Sequence, residues 1–179
     1  MTLKEHFEKK VKADLKKELE LTSVAAVPTI KKVTINMGIG KNRETKAFVQ
    51  EAISDLSLIS GQKPSGRSAK SSISNFKLRK GQLVGLTVTL RGKKMWDFYE
   101  KLVKIVLPRV KDFRGISPKS FDGTGNYNLG LGEHIVFPEI DPNKVGFAKS
   151  LQVTVSTSAN TDDIGHKLLK ALGMPFREE

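Results

Sequence analysis

Cysteine is absent from the 179 residues, and tryptophan and tyrosine are nearly so, at one and two copies. Without a thiol there is no disulfide framework, no Cys-ligated zinc or iron–sulfur cluster and no thiol nucleophile. The absence fits a reducing, cytoplasmic compartment. Long apolar runs are missing as well: stretches such as Ile105 to Leu107 fall far short of the ~18 to 20 residues that a membrane-spanning helix requires, so no membrane partner is expected. Lys4, Glu5, His6 and Glu8 crowd the first positions, which opposes a secretory leader, and their acidic members oppose an organellar transit peptide. What remains suffices for one domain over 1–179, because a chain of this length buries about 70% of its unfolded surface on folding.

Acid is scarce in one place above all. The chain carries 31 Lys plus Arg against 19 Asp plus Glu, a formal charge of +12. From Lys4 to Glu20 the signs nearly cancel. Between Gln62 and Trp96, however, Lys63, Arg67, Lys70, Lys77, Arg79, Lys80, Arg91, Lys93 and Lys94 stand without a single carboxylate. A solubilising surface mixes signs; a polyanion-binding surface segregates them. Nucleic acid is the expected partner, because Lys and Arg placed on phosphates release counterions and supply most of the sequence-independent affinity. An anionic membrane would call for a basic amphipathic helix, and this stretch reads as loop and strand.

Leu3, Phe7, Val11, Leu15 and Leu19 recur every four residues, and Thr2 with Glu5 forms a capping box, so the chain opens with a helix. Val33, Ile35 and Met37 alternate with Thr34 and Asn36 as in a half-buried strand. Phe48, Ala52, Leu56 and Ile59 predict a second helix, stopped by Gly61. A Gly/Ser/Lys loop is expected to Ser72, then an extended arm over Ile73 to Arg79, a turn at Lys80 to Gln82, and a strand through Val84, Leu86, Val88 and Leu90 that closes a hairpin. A buried third helix runs from near Lys93 to Pro108. Asp112 to Glu133 holds five glycines and reads as one long loop. A short strand is expected at Ile135 to Phe137, a clearer one at Leu151 to Val155, and a last helix capped by Thr161 and ended by Gly173. The fold class is α+β.

The outward positions of these strands are Thr34, Asn36, Thr87, Thr89, Arg91, Gln152, Thr154 and Ser156. Short hydrogen-bonding groups suit the shallow minor groove of RNA, where 2′-hydroxyls and phosphates are read. The solvated face that any open antiparallel sheet presents accounts for them equally well.

Gly61 to Ser68 nearly spells a phosphate-binding loop, but Arg67 stands where lysine is required, and the segment leaves a helix instead of a buried strand. His6, His134 and His166 lack metal-ligand spacing, and Asp162–Asp163 is accounted for by a helix start. No catalytic constellation, metal site or cofactor is expected. Trp96, at helical spacing from Tyr99, reads as core.

Ile59-Ser-Gly-Gln-Lys-Pro64, Asn75-Phe-Lys-Leu-Arg79, Val88-Thr-Leu-Arg91, Leu107-Pro-Arg109, Asp112-Phe-Arg-Gly115, Ser120-Phe-Asp-Gly123, Gly125-Asn-Tyr-Asn128 and Pro175-Phe-Arg177 stand in order along nearly the whole chain. In these the chain resembles the bacterial large-subunit ribosomal protein L five family. The resemblance implies an antiparallel sheet with helices packed on one face, the other face polar and RNA-binding, and a projecting basic hairpin arm. It implies no catalysis, and a place in the central protuberance of the ribosome, binding 5S rRNA and attaching it to 23S rRNA. Carried over by position, the 5S rRNA contacts fall on Asn36, Gln62, Thr89 and Arg91, with Thr34, Thr87 and Lys63 beside them. The arm over Ser71 to Val84 is implied to reach the P-site tRNA through Lys77, Arg79, Lys80 and Gly81, with Lys70, Ser72 and Asn75 adjoining. The segment from about Gly115 to Phe147 is implied to face a small-subunit head ribosomal protein. Ser65-Gly66-Arg67-Ser68 departs from the family pattern.

Overall fold

The computed structural model describes residues 2–40 and 44–177. Five strands, β1 (Ile30–Gly38), β2 (Ser65–Ser68), β3 (Leu83–Leu90), β4 (Tyr127–Leu131) and β5 (Leu151–Thr157), form one sheet in the order β2-β3-β1-β5-β4. Neighbours run antiparallel. Ser65 faces Thr87 across β2 and β3, the Ile39 N–H donates to the Val84 carbonyl beside β1 and β3, and Ser158 N–H donates to Thr29 O where β5 meets β1. Along β1, Val33, Ile35 and Met37 are fully buried, while Thr34 and Asn36 are half-buried. The same period of two repeats in β3 and β5, so each strand covers one face and wets the other. The expected α+β class is the observed one.

The residues group into two compact units, Met1–Val33 with Leu90–Leu129 and Thr154–Glu179, and Thr34–Thr89 with Gly130–Val153. In the first, helix α1 comprises an α-helical turn Leu3–His6, a π-helical turn Phe7–Val11 and an α-helical stretch Lys12–Glu18. Thr2 and Glu5 cap it reciprocally, as their spacing predicts. The π turn has a reason in the sequence. An apolar residue every fourth position drifts by ~40° per turn on a 3.6-residue helix, and one wider turn offsets that drift so that Leu3, Phe7, Val11 and Leu15 all remain buried. Helix α3 comprises Gly92–Lys101, a π-helical turn Leu102–Val106 and a last turn Leu107–Arg109. Phe7 packs on Trp96 with ring centroids 5.3 Å apart, which makes Trp96 a core residue.

Helix α4 (Asp162–Ala171) starts at Thr161, whose side chain makes no capping bond. Thr161 does hold the expected N-cap position with an extended backbone, and the Asp162 carboxylate accepts from the N–H groups of Gly123 and Gly125, at 3.1 and 2.9 Å. A charged acceptor on two loop amides makes strong hydrogen bonds, and it ties the glycine-rich turn to the helix start. In the same turn Asp122 accepts from Asn126 and Thr124, which hold its carboxyl down at about 2.

Three expectations are corrected. The loop to Ser72 contains strand β2, because Ser65 to Ser68 pair with β3 from Thr87 to Leu83. The long loop over Asp112 to Glu133 contains β4, whose Tyr127, Leu129 and Leu131 alternate inward; the glycines between obscure an ordinary period of two. Ile135 to Phe137 is no strand. His134–Val136 forms a 3-10 turn closed by the Phe137 N–H donating to His134 O, with the buried imidazole anchoring it.

The second unit holds helix α2 (Lys46–Ser60), which buries Phe48, Ala52, Leu56 and Ile59 and ends on left-handed Gly61. Asp55 lies in that same buried stripe.

One buried atom in the first unit makes a stability prediction. The Tyr99 hydroxyl is fully enclosed and has no hydrogen-bond partner among the described residues, and burial pushes its pKa up. Tyr99→Phe removes an unsatisfied donor at almost no cost in volume, so it is expected to raise the unfolding free energy by about 1 kcal/mol. Urea denaturation measures it, and a loss of stability would mean that the hydroxyl is bonded in solution.

Candidate nucleic-acid interface

The outward side of β1 and β3 is built from backbone alternation alone: the pleat that buries Val33, Ile35 and Met37 turns Thr34 and Asn36 outward, and burying Leu86 and Val88 turns Thr87 and Thr89 outward. The four groups lie in the second unit and no carboxylate interrupts them. Thr87 Oγ1 donates to Asn36 Oδ1 at 3.0 Å. That bond fixes the Asn36 amide so that its NH₂ is the edge left to offer, and it leaves the threonine oxygen as an acceptor. Gln62, exposed one residue past the left-handed Gly61, reaches the Thr89 carbonyl through Nε2 at 3.5 Å. The structure therefore brings Gln62 beside the threonines, and exposed Lys63 follows it in the chain. Arg91 is exposed and occupies the N-cap position of α3, two residues beyond Thr89, on the part of the chain that belongs to the first unit.

Two residues missed by sequence reasoning extend this face. In the β2–β3 register Ser65 opposes Thr87 and Arg67 opposes Gly85, and directly opposed residues share a face. Arg67, which the sequence offers as a defective phosphate-loop residue, is a strand residue with its neighbours on the polar side. Gly66 between Ser65 and Arg67 opposes Leu86, and a Cβ there would stand 2.7 Å from Leu83 Cδ1, so a larger residue would have to push the end of that side chain aside. On β5, Thr154 Oγ1 donates to Asn128 Oδ1 at 2.7 Å, which adds Asn128 of β4, hidden by the loop reading, to the outward groups of the first unit.

The cationic arm is the closed end of the β2–β3 hairpin. Ala69 N–H donates to Gln82 O and Gly81 N–H to Ala69 O, extending the ladder by a step. Beyond it Ile73 and Leu78 exchange backbone bonds of 2.9 and 3.1 Å around a 3-10 turn, Ser74–Phe76, with Lys77 left-handed at φ 48°. The expected extended run over Ile73 to Arg79 is thus corrected to a tight turn. Side-chain acceptors hold this turn against an extended backbone: Ser72 Oγ accepts from the Lys80 N–H at 2.9 Å, and Gln82 Oε1 from the Arg79 N–H at 2.9 Å. Lys70, Ser72, Asn75, Lys77, Arg79, Lys80 and Gly81 are all exposed on it.

A buried ion cluster sits elsewhere in the second unit. Lys149 Nζ lies 2.7 Å from Glu51 Oε1 and 2.9 Å from Asp55 Oδ2, and its side chain is 1% exposed. His134 Nδ1 accepts from the Lys149 N–H at 3.1 Å, so Nε2 carries the proton and faces Asp55 Oδ2 at 3.2 Å. Burial, reinforced by the Lys149 charge, keeps the imidazole pKa below its ordinary value, while the bond from Lys149 lowers that of Glu51. The cluster ties the segment between β4 and β5 to α2. Among the described residues no group of three His, Asp or Glu is placed to hold a metal ion.

An acid-free sheet face beside a cationic hairpin, on an α+β frame, is the build of a protein that meets a polyanion across a surface. Residues 23–79 match the family model for ribosomal protein L5, and residues 83–176 match the model for the C-terminal part of that family. The chain belongs to the ribosomal protein L5 family, the structural and non-enzymatic constituents of the large ribosomal subunit, associated with ribosomal RNA in the cytoplasm. No described helix is long and apolar enough to cross a membrane.

Proposed function

We propose that the chain acts as a single RNA-binding domain that holds 5S rRNA on its sheet face and attaches it to 23S rRNA in the central protuberance. Asn36, Gln62, Thr89 and Arg91 are the principal contacts, flanked by Thr34, Thr87 and Lys63. The hairpin end, with Lys70, Ser72, Asn75, Lys77, Arg79, Lys80 and Gly81, contacts the P-site tRNA, and the segment from about Gly115 to Phe147 meets a small-subunit head protein. The observation that carries this reading is the Asn36–Thr87–Thr89–Gln62 surface: fixed short donors and acceptors without a carboxylate, matched to 2′-hydroxyls and phosphates.

Titration of 5S rRNA against a structured control RNA over a range of salt concentrations tests it. Shape recognition keeps a preference for 5S rRNA as salt rises, whereas charge attraction alone loses it. Arg91→Ala is expected to weaken 5S rRNA binding by ~1.5 to 3 kcal/mol through loss of a charge-assisted hydrogen bond. Replacing Lys77, Arg79 and Lys80 together by Ala should leave that affinity nearly intact. Equal affinity of the wild-type chain for both RNAs at physiological salt would sink the 5S assignment.

A further inference from the structure

The most exposed large apolar side chains of the described residues are Phe76, at 70%, and Phe147, at 61%. Both rim one open groove of the second unit, of about 960 Å³, whose lining includes Gly38, Gly40, Lys77 and Gly132. Exposed phenylalanines in isolation need no explanation; two on one groove mark a docking surface. Neither ring is carelessly placed. Phe147 is buttressed edge-on by buried Phe48 at 6.1 Å, and Phe48 in turn lies under the Lys149 ammonium at 5.3 Å. Phe76 stands on the 3-10 turn that left-handed Lys77 closes, and backbone held at φ 48° in a lysine is a conformation with a cost. The lining is glycine where it could be filled: Cβ atoms at Gly38, Gly40 and Gly132 would meet nothing within 4 Å, so no packing demand explains the missing side chains.

We infer that this groove is a stacking site for an unpaired base of the tRNA that the hairpin end contacts, with Phe76 and Phe147 as the aromatic surfaces and Lys77 on the adjoining phosphate. The inference rests on the tRNA reading of the arm; it places Phe147, the last residue of the segment proposed to meet the head protein, on the tRNA side instead, and gives the arm an aromatic, base-directed contact. Charge selects RNA over a protein segment. Phe76 lies within the acid-free run, among Lys70, Lys77, Arg79 and Lys80. Aromatic faces flanked by cations suit unstacked bases. Glu44, the one carboxylate among the described lining residues, offers an acceptor to an exocyclic amine and so favours a base with an amino edge.

The test is chemical modification of base edges of P-site tRNA in ribosomes carrying the wild-type or a variant chain, with backbone protection read in parallel. Phe76→Ala and Phe147→Ala are expected to lower occupancy of the stacked state roughly 5- to 150-fold, so that one or two unpaired bases shielded by the wild-type chain become reactive. Phe76→Tyr should keep the shielding and Phe76→Leu should lose it, since leucine retains apolar bulk without a π face. Shielding retained in Phe76→Leu means an apolar pocket suited to a protein segment, and overturns the inference. Base reactivity unchanged in every Phe variant, with backbone protection still lost when Lys77, Arg79 and Lys80 are replaced, overturns the stacking site and leaves the arm reading standing. Absence of any tRNA protection by the wild-type chain overturns both.

Discussion

Lys149→Met is expected to lower the unfolding free energy by about 3–5 kcal/mol, the usual cost of removing one partner from a buried ion pair. The substitution keeps the apolar stem and deletes only the ammonium. Asp55, with a side chain 12% exposed, and Glu51 then face each other and the His134 imidazole without a cation. The contact with the Phe48 ring goes as well. The desolvation already spent on the carboxylates is what makes the single substitution so costly; the intact pair is worth far less than this figure. Adding Asp55→Leu and Glu51→Gln to Lys149→Met should therefore recover much of the loss. Guanidinium denaturation of the single and combined variants measures both. A single variant within ~0.5 kcal/mol of wild type, the range of ordinary surface substitutions, would show that water already reaches the cluster.

The same cluster sets a direction with pH. His134 is held neutral in the fold by a pKa below its ordinary value, so the unfolded chain takes up the proton first as pH drops below ~6.5, and stability falls from there towards the depressed folded pKa. Glu51, whose pKa is also lowered, adds loss in the same direction below the ordinary carboxylate range. Acid thus loosens the attachment of the segment between β4 and β5 to α2, and Lys149→Met should flatten the Glu51 part of the profile.

Gly125→Ala is the second large effect, at about 2–5 kcal/mol of destabilisation. Gly125 has φ 78°, a region that costs an L-residue roughly 1–2 kcal/mol. Its Cβ would also stand 2.7 Å from Ala159 Cβ and 2.8 Å from the Thr161 carbonyl, adding an overpacking cost of ~1–3 kcal/mol. The turn cannot shift to relieve this. Asp162 grips the Gly125 N–H at 2.9 Å, Thr157 Oγ1 donates to its carbonyl at 2.8 Å, and Gly165 of α4 packs against the same peptide so closely that a Cβ there would come within 2.7 Å of Gly125 O. Gly130→Ala is the control, since its Cβ meets nothing within 4 Å. Urea midpoints of the two variants that coincide would refute the pinned turn.

Much of this was written locally. The capping box at Thr2 and Glu5, the alternation of β1, β3 and β5, and the left-handed Gly61 each depend on residues within a few positions of one another, and all appear where the sequence places them. The misses share a cause. Strand β2 is Ser-Gly-Arg-Ser, and only β3 beside it makes it a strand. Strand β4 interleaves glycine and asparagine with its inward residues, so turn composition concealed it. Asp55 sat on the buried face of α2 in plain view; a carboxylate in an apolar stripe was the one local clue to the ion cluster, but its cation lies 94 residues on.

By itself the sequence determined the charge segregation, the strand and helix periods and the kind of surface that the outward positions present, because these are sums and repeats over neighbours in the chain. Tertiary structure alone decided which polar residues share a face, as with Ser65 beside Thr87. It alone set Lys149 between Glu51 and Asp55, and it alone brought Phe76 and Phe147 to one groove. Pairing register and burial are relations between distant segments. Only chain closure, where the gain from excluding water outweighs the entropy of bringing those segments together, assigns them.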